Sequence, residues 1–212
     1  MAYYCSKECQ KKDWTRHKID CMASRANAAE MDRRTTPNMI STVAQPRPVE
    51  VAEELTAFRQ HFMPALTFAA LNCFSKGTLS PEGWEDKIFW VQLVRLSSPT
   101  ADVPPWSRFH LFGAGQAPVS RVMGGKDPNQ VAFRRNRDLA HARNEKEGFG
   151  AITVFITCNY QKMGLHVFTD IKFMRNAPTD LCVERVDNWW DIFVNALERE
   201  AVPARKASRN VK

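Results

Sequence analysis

Cys5, Cys9, His17 and Cys21 are the residues of this sequence whose types and spacing carry recognisable chemistry. Thiolates and a neutral imidazole are donors that zinc prefers, and a structural zinc site closes four of them into a tetrahedron. Cys5 and Cys9 lie four residues apart, as do His17 and Cys21. On a helix such a spacing puts both side chains on one face, one turn apart, so each pair can pinch a metal ion. Between the pairs the chain advances eight residues, about 12 Å of rise on a continuous helix. Ligand bonds of about 2.0 to 2.3 Å cannot bridge that distance to one ion. Residues 10–16 contain no Gly or Pro to break the helix between them. The four donors therefore read as two half-sites for two different ions. The bland alternative is a short amphipathic helix with free thiols.

Together with Tyr4, Gln10 and Trp14, these four donors resemble the second half of a MYND zinc finger, over residues 3–21. The resemblance implies two zinc ions in a cross-braced arrangement. One would be held by two upstream cysteines and the pair matching Cys5 and Cys9. The other would take two further upstream cysteines and the pair matching His17 and Cys21. The sequence departs from the family here, because it holds no counterpart of the four upstream cysteines. Two donors per ion leave half of each coordination sphere to water, and an unclosed site supplies little folding energy. The resemblance further implies docking of short proline-containing segments of other proteins, with Gln10 and Trp14 on the docking surface. The layout is also similar to that of fungal proteins joining such a finger to a domain without an assigned activity.

The elements that would carry or accompany this finger follow from composition. With 212 residues and 44% hydrophobic content, the chain can form one domain with a core, plus extensions. No apolar run reaches bilayer length and no signal-peptide pattern opens the sequence, so a soluble, intracellular protein of nucleus or cytoplasm is expected. Six cysteines, three of them clustered as metal-type ligands, do not suggest a disulfide framework. The net charge is +7, but residues 1–35 hold eight basic and five acidic residues and 203–212 hold four basic ones. What remains, 18 basic and 18 acidic residues, makes the body neutral. Nucleic-acid binding is thus a reading for the ends only, and would show as steep salt dependence.

The organisation expected is a finger segment at 1–31, a linker at 32–49, an α+β domain at 50–202 and a basic tail at 203–212. Val51, Leu55, Phe58, Phe62, Leu66, Ala69 and Cys73 recur with helical period, and Pro64 should kink or split that helix. Residues 87–96 read as a central strand and 106–112 as a short one. Asp127-Pro128 should open a helix to about 146, stopped by Gly148. Residues 151–158 and 165–173 predict an antiparallel pair, and 187–200 a helix with Trp189, Phe193, Ala196 and Leu197 inward. An antiparallel sheet packed by helices is the fold expected.

No catalytic residue is singled out in the body. Phe112-Gly-Ala-Gly115 lacks the following helix and the acidic residue of a dinucleotide loop, and reads as a glycine-rich turn. A SET-type methyltransferase would need an Asn-His-Ser-Cys-type segment, which the sequence lacks; Cys158-Asn159-Tyr160 does not supply it. His61, His110, His141 and His166 are too dispersed to nominate a metal site. Arg134, Arg135, Arg137, His141 and Arg143 form a basic helix side that reads as solvated, paired with Asp138, Glu145 and Glu147. Trp189 and Trp190 are adjacent, so one helix face cannot bury both. The function expected is a zinc-binding interaction module; an enzyme with its site in 50–202 is the alternative.

Overall fold

In a computed structural model, residues 45–75, 83–96, 103–124, 128–161, 163–175 and 186–209 are described. The chain separates into two units, 1–51 and 52–212. The described part holds five α-helices, a 3₁₀ turn and a four-stranded sheet. They run α1 (Pro48–His61), α2 (Met63–Phe74), β1 (Lys87–Arg95), the 3₁₀ turn (Pro105–Ser107), β2 (Phe109–Pro118), α3 (Val119–Met123), α4 (Pro128–Lys146), β3 (Phe149–Tyr160), β4 (Met163–Met174) and α5 (Trp189–Arg209). Among the described residues no helix is long and apolar enough to cross a membrane.

The helical stripe between residues 51 and 73 does split. α1 ends at His61, Phe62 leaves helical geometry, and Pro64 occupies the first turn of α2, where its missing N–H has no helical partner to lose. Leu55, Phe58, Phe62, Leu66 and Ala69 are all buried, as their period requires.

The strand order is β2-β1-β3-β4. β1 pairs antiparallel with β2 but parallel with β3, so the sheet is mixed rather than antiparallel throughout. A parallel neighbour demands a crossover, and α4 supplies it. Adjacent residues of β1 point to opposite faces. Ile88 joins Ala117, Phe133 and Phe155 in a cluster beneath α4. Phe89 instead meets Trp189 and Phe193 of α5, each at 6.2 Å between ring centres. Helices therefore cover both faces.

Three further expectations change. The glycine-rich stretch after Phe112 is not a turn: it lies within β2, paired with Trp90 to Gln92. The expected short strand starting at Trp106 begins instead as the 3₁₀ turn, because Pro104 and Pro105 fix its entry, and β2 runs on to Pro118. α5 passes Pro203 and continues to Arg209, so most of the expected basic tail is helical. By contrast α4 ends as read, with Gly148 at φ +82 turning the chain into β3. The β3–β4 hairpin also stands, its strands extended by register from Phe149↔Met174 to Tyr160↔Met163.

Candidate functional site

An apolar groove of about 210 Å³ opens where α1, β2 and α5 meet. Phe58 comes from the inner face of α1 and Phe62 from the joint between α1 and α2. β2 contributes Phe109, His110 and Leu111, its first three residues. α5 lends Trp190, Val194, Leu197 and Ala201, a stripe at helical spacing, with Glu198 beside it. Of the adjacent tryptophans, Trp189 turns inward and Trp190 stays exposed on the groove wall. Beside the groove, His61 stacks on Trp106 at 3.8 Å and 6°. Its Nε2 lies 2.6 Å from Glu200 Oε2, which ties the end of α1 to α5. Such a lining holds an apolar side chain; His110 and Glu198 are its ionisable members, and no hydroxyl or thiol nucleophile joins them.

Two polar clusters lie inside the body. Glu54 of α1, 5% exposed, receives Arg95 Nε at 2.6 Å and Arg108 NH1 at 2.7 Å. Arg108 also donates to the Val103 carbonyl at 2.8 Å. Burial works against the charge on Arg95, yet its bond to Glu54 prevails and its pKa rises above the ordinary arginine value. Cys158 lies near this cluster, and burial pushes its thiol up, with Arg95 pulling the other way. A protonated, buried thiol is a poor nucleophile. The cluster thus fastens α1 to β1 and to the entry of β2.

The second cluster joins α4 to the β3–β4 hairpin. Thr153 donates its hydroxyl to Asp170 Oδ1 at 2.6 Å and lies 3.1 Å from His141 Nε2. Since the one hydroxyl proton goes to Asp170, the imidazole is the donor to Thr153. Burial first, and then Arg137, lowers the pKa of His141. Hydroxyl, imidazole and carboxylate are the ingredients of a nucleophilic triad, but Thr153 is 0% exposed and both partners converge on its oxygen. No relay from carboxylate to imidazole to hydroxyl exists, and no substrate can reach it.

The basic side of α4 therefore needs correcting. Arg137 is 5% exposed and donates to the carbonyls of Trp84 and Glu85 at 3.1 and 2.6 Å. Asp138 does pair along the helix, with Arg137 at 3.2 Å, whereas Glu145 reaches Arg175 just past β4 and Glu147 reaches Lys172 of β4. The signal in the sequence was the stripe Phe133, Arg137, His141, whose four-residue steps put polar side chains in line with an apolar one.

The sequence-nominated ligands Cys5, Cys9, His17 and Cys21, with Gln10 and Trp14, lie outside the described residues. Cys73 is partly buried and Cys158 buried. Among the described residues no three His, Cys, Asp or Glu side chains gather as a metal site. The family model of the MYND finger matches residues 1–21, the stretch that carries all six nominated residues. No curated protein and no solved structure matches the chain. MYND fingers bind zinc and serve as protein-interaction modules, and the donor set here, three thiols and one imidazole, is of the kind zinc takes. It supplies four of the donors that two tetrahedral ions require.

Proposed function

We propose that this protein is a zinc-binding interaction protein of MYND type, acting inside the cell in nucleus or cytoplasm. The match over residues 1–21 carries the proposal. Cys5 and Cys9 hold one zinc ion and His17 and Cys21 the other, each completing its shell with water or with donors from elsewhere. The bound ions would supply folding energy to the segment rather than reaction chemistry. Gln10 and Trp14 form the docking surface for proline-containing segments of partner proteins. The described residues of the body, 52–212, add an apolar groove and buried polar ties.

The test is metal content of the full chain after equilibration with buffered zinc, alongside Cys9→Ser and Cys21→Ser. Two ions in the parent and one in each variant is the expected result. A parent chain that retains none at micromolar free zinc would sink the proposal. For the docking surface, Trp14→Ala should abolish capture of proline-containing peptides while zinc content stays unchanged.

A further inference from the structure

On the sheet face that carries α4, two rows of residues lie beyond the part the helix covers. In register across the four strands stand Gly115, Trp90, Phe155 and Phe168, and one step further Gly113, Gln92, Thr157 and His166. Cross-strand partners project from the same face. Before these rows, under α4, Ile88 and Thr153 are fully buried. Trp90, Gln92 and Thr157 are only half-buried, although β1 and β3 are the inner strands. Inner strands with both faces covered carry apolar side chains there.

The polar groups of these residues are unmatched. Among the described residues, the Trp90 indole N–H, the Gln92 carboxamide and the Thr157 hydroxyl have no hydrogen-bond partner. Gln130 Oε1 is buried and also without one. α4 meets Thr153 through His141 and Phe155 through Phe133, and Gln130 lies one turn earlier on the same stripe, toward the two rows. A buried acceptor left unmade costs about 1 to 3 kcal/mol. The Trp90 ring leans toward the register shift of β2, where a Cβ on Gly113 would lie 3.9 Å from it. One on Gly115, directly opposite Trp90, would meet nothing within 4 Å, so neither position walls the ring.

We propose that these two rows bind an adenosine-type nucleoside, its base stacked on the Trp90 indole and its edge read by the Gln92 carboxamide. Thr157 and Gln130 take further hydrogen bonds. A carboxamide sets a donor and an acceptor side by side, which an adenine edge matches with two bonds. Stacking of a base on an aromatic side chain adds about 1 to 3 kcal/mol. Neither row holds Lys, Arg, Asp or Glu, so a phosphate finds no counter-charge there, and a nucleoside fits better than a nucleotide or a strand. An extended peptide fits worse again. The backbone groups of β1 and β3 are already paired on both sides, so a peptide lying on this face would leave its own main chain unmatched.

The experiment is isothermal titration of the full chain with adenosine, with purine riboside, which lacks the exocyclic amine, and with an oligoadenylate. Adenosine should saturate with Kd below about 1 mM, and purine riboside should bind about tenfold more weakly. Gln92→Leu, similar in size, should weaken adenosine about tenfold and abolish the difference between the two nucleosides, with melting unchanged. A parent chain that adenosine does not saturate overturns the proposal, and so does a folded Gln92→Leu chain that binds like the parent. Tighter binding of the oligoadenylate, falling steeply with salt, would assign the face to nucleic acid and equally overturn it. If Gln92→Leu does not fold, Thr157→Val decides in its place, with loss of adenosine affinity expected and parent-like affinity overturning.

Discussion

Glu54 carries one carboxylate between two guanidinium groups in a nearly waterless place. Removing it leaves the buried Arg95 guanidinium without its carboxylate and takes one partner from the half-buried Arg108, so Glu54→Ala should cost about 3 kcal/mol in urea unfolding. The exposed pair Arg47 with Glu50, at 3.0 Å, is screened by water, and Glu50→Ala should stay within about 0.5 kcal/mol. His141 makes the opposite kind of statement. Its folded pKa lies below the ordinary histidine value, so the folded state binds fewer protons than the unfolded one. The stability that neutral His141 contributes is present above about pH 6.5 and is lost as pH falls below it. Melting temperature should therefore drop on acidification through the histidine range. His141→Gln, which can still donate to Thr153, should flatten that drop; an unchanged slope would place the acid sensitivity elsewhere. The stripe Phe133, Arg137, His141 signals the second of these clusters in the sequence, but nothing signals the first. Glu54, Arg95 and Arg108 are far apart in the chain, and their charges look like solvent-facing ones until the fold brings them together.

At the scale of elements, backbone geometry separates glycines that the fold needs from those it does not. Gly148 closes α4 at φ +82, where an L side chain is strained, so Gly148→Ala should cost about 1 kcal/mol. Gly115→Ala meets open space at ordinary φ and should leave stability unchanged or raise it by a few tenths of a kcal/mol, at about the scale of strand propensity. Urea midpoints for the two variants test this contrast directly. The helix boundaries at Pro64 and Gly148 could be read beforehand, because each rests on the local chemistry of one residue. The glycine-rich run from Phe112 reads as a turn because glycine marks both turns and bulged strands, and only the pairing with β1, shifted in register at Gln92/Leu93, separates these cases.

For the molecule as a whole, periodicity was enough to expect strands and helices in one α+β body, and the donors Cys5, Cys9, His17 and Cys21 were enough to point to zinc. Both follow from local rules: ligand chemistry with i,i+4 spacing for the finger, and the periods 2 and 3.6 for the body. Tertiary structure alone decided the parallel pairing of β1 with β3, the coverage of both sheet faces, and which strands are outermost among the described residues. Strand order and partner direction are set by how distant segments pack, and the same alternating pattern serves parallel and antiparallel neighbours. Tertiary structure also turned Arg137 and His141 from an expected solvated face into buried ties. A side chain's environment belongs to the surfaces that close over it, which no run of neighbouring residues specifies.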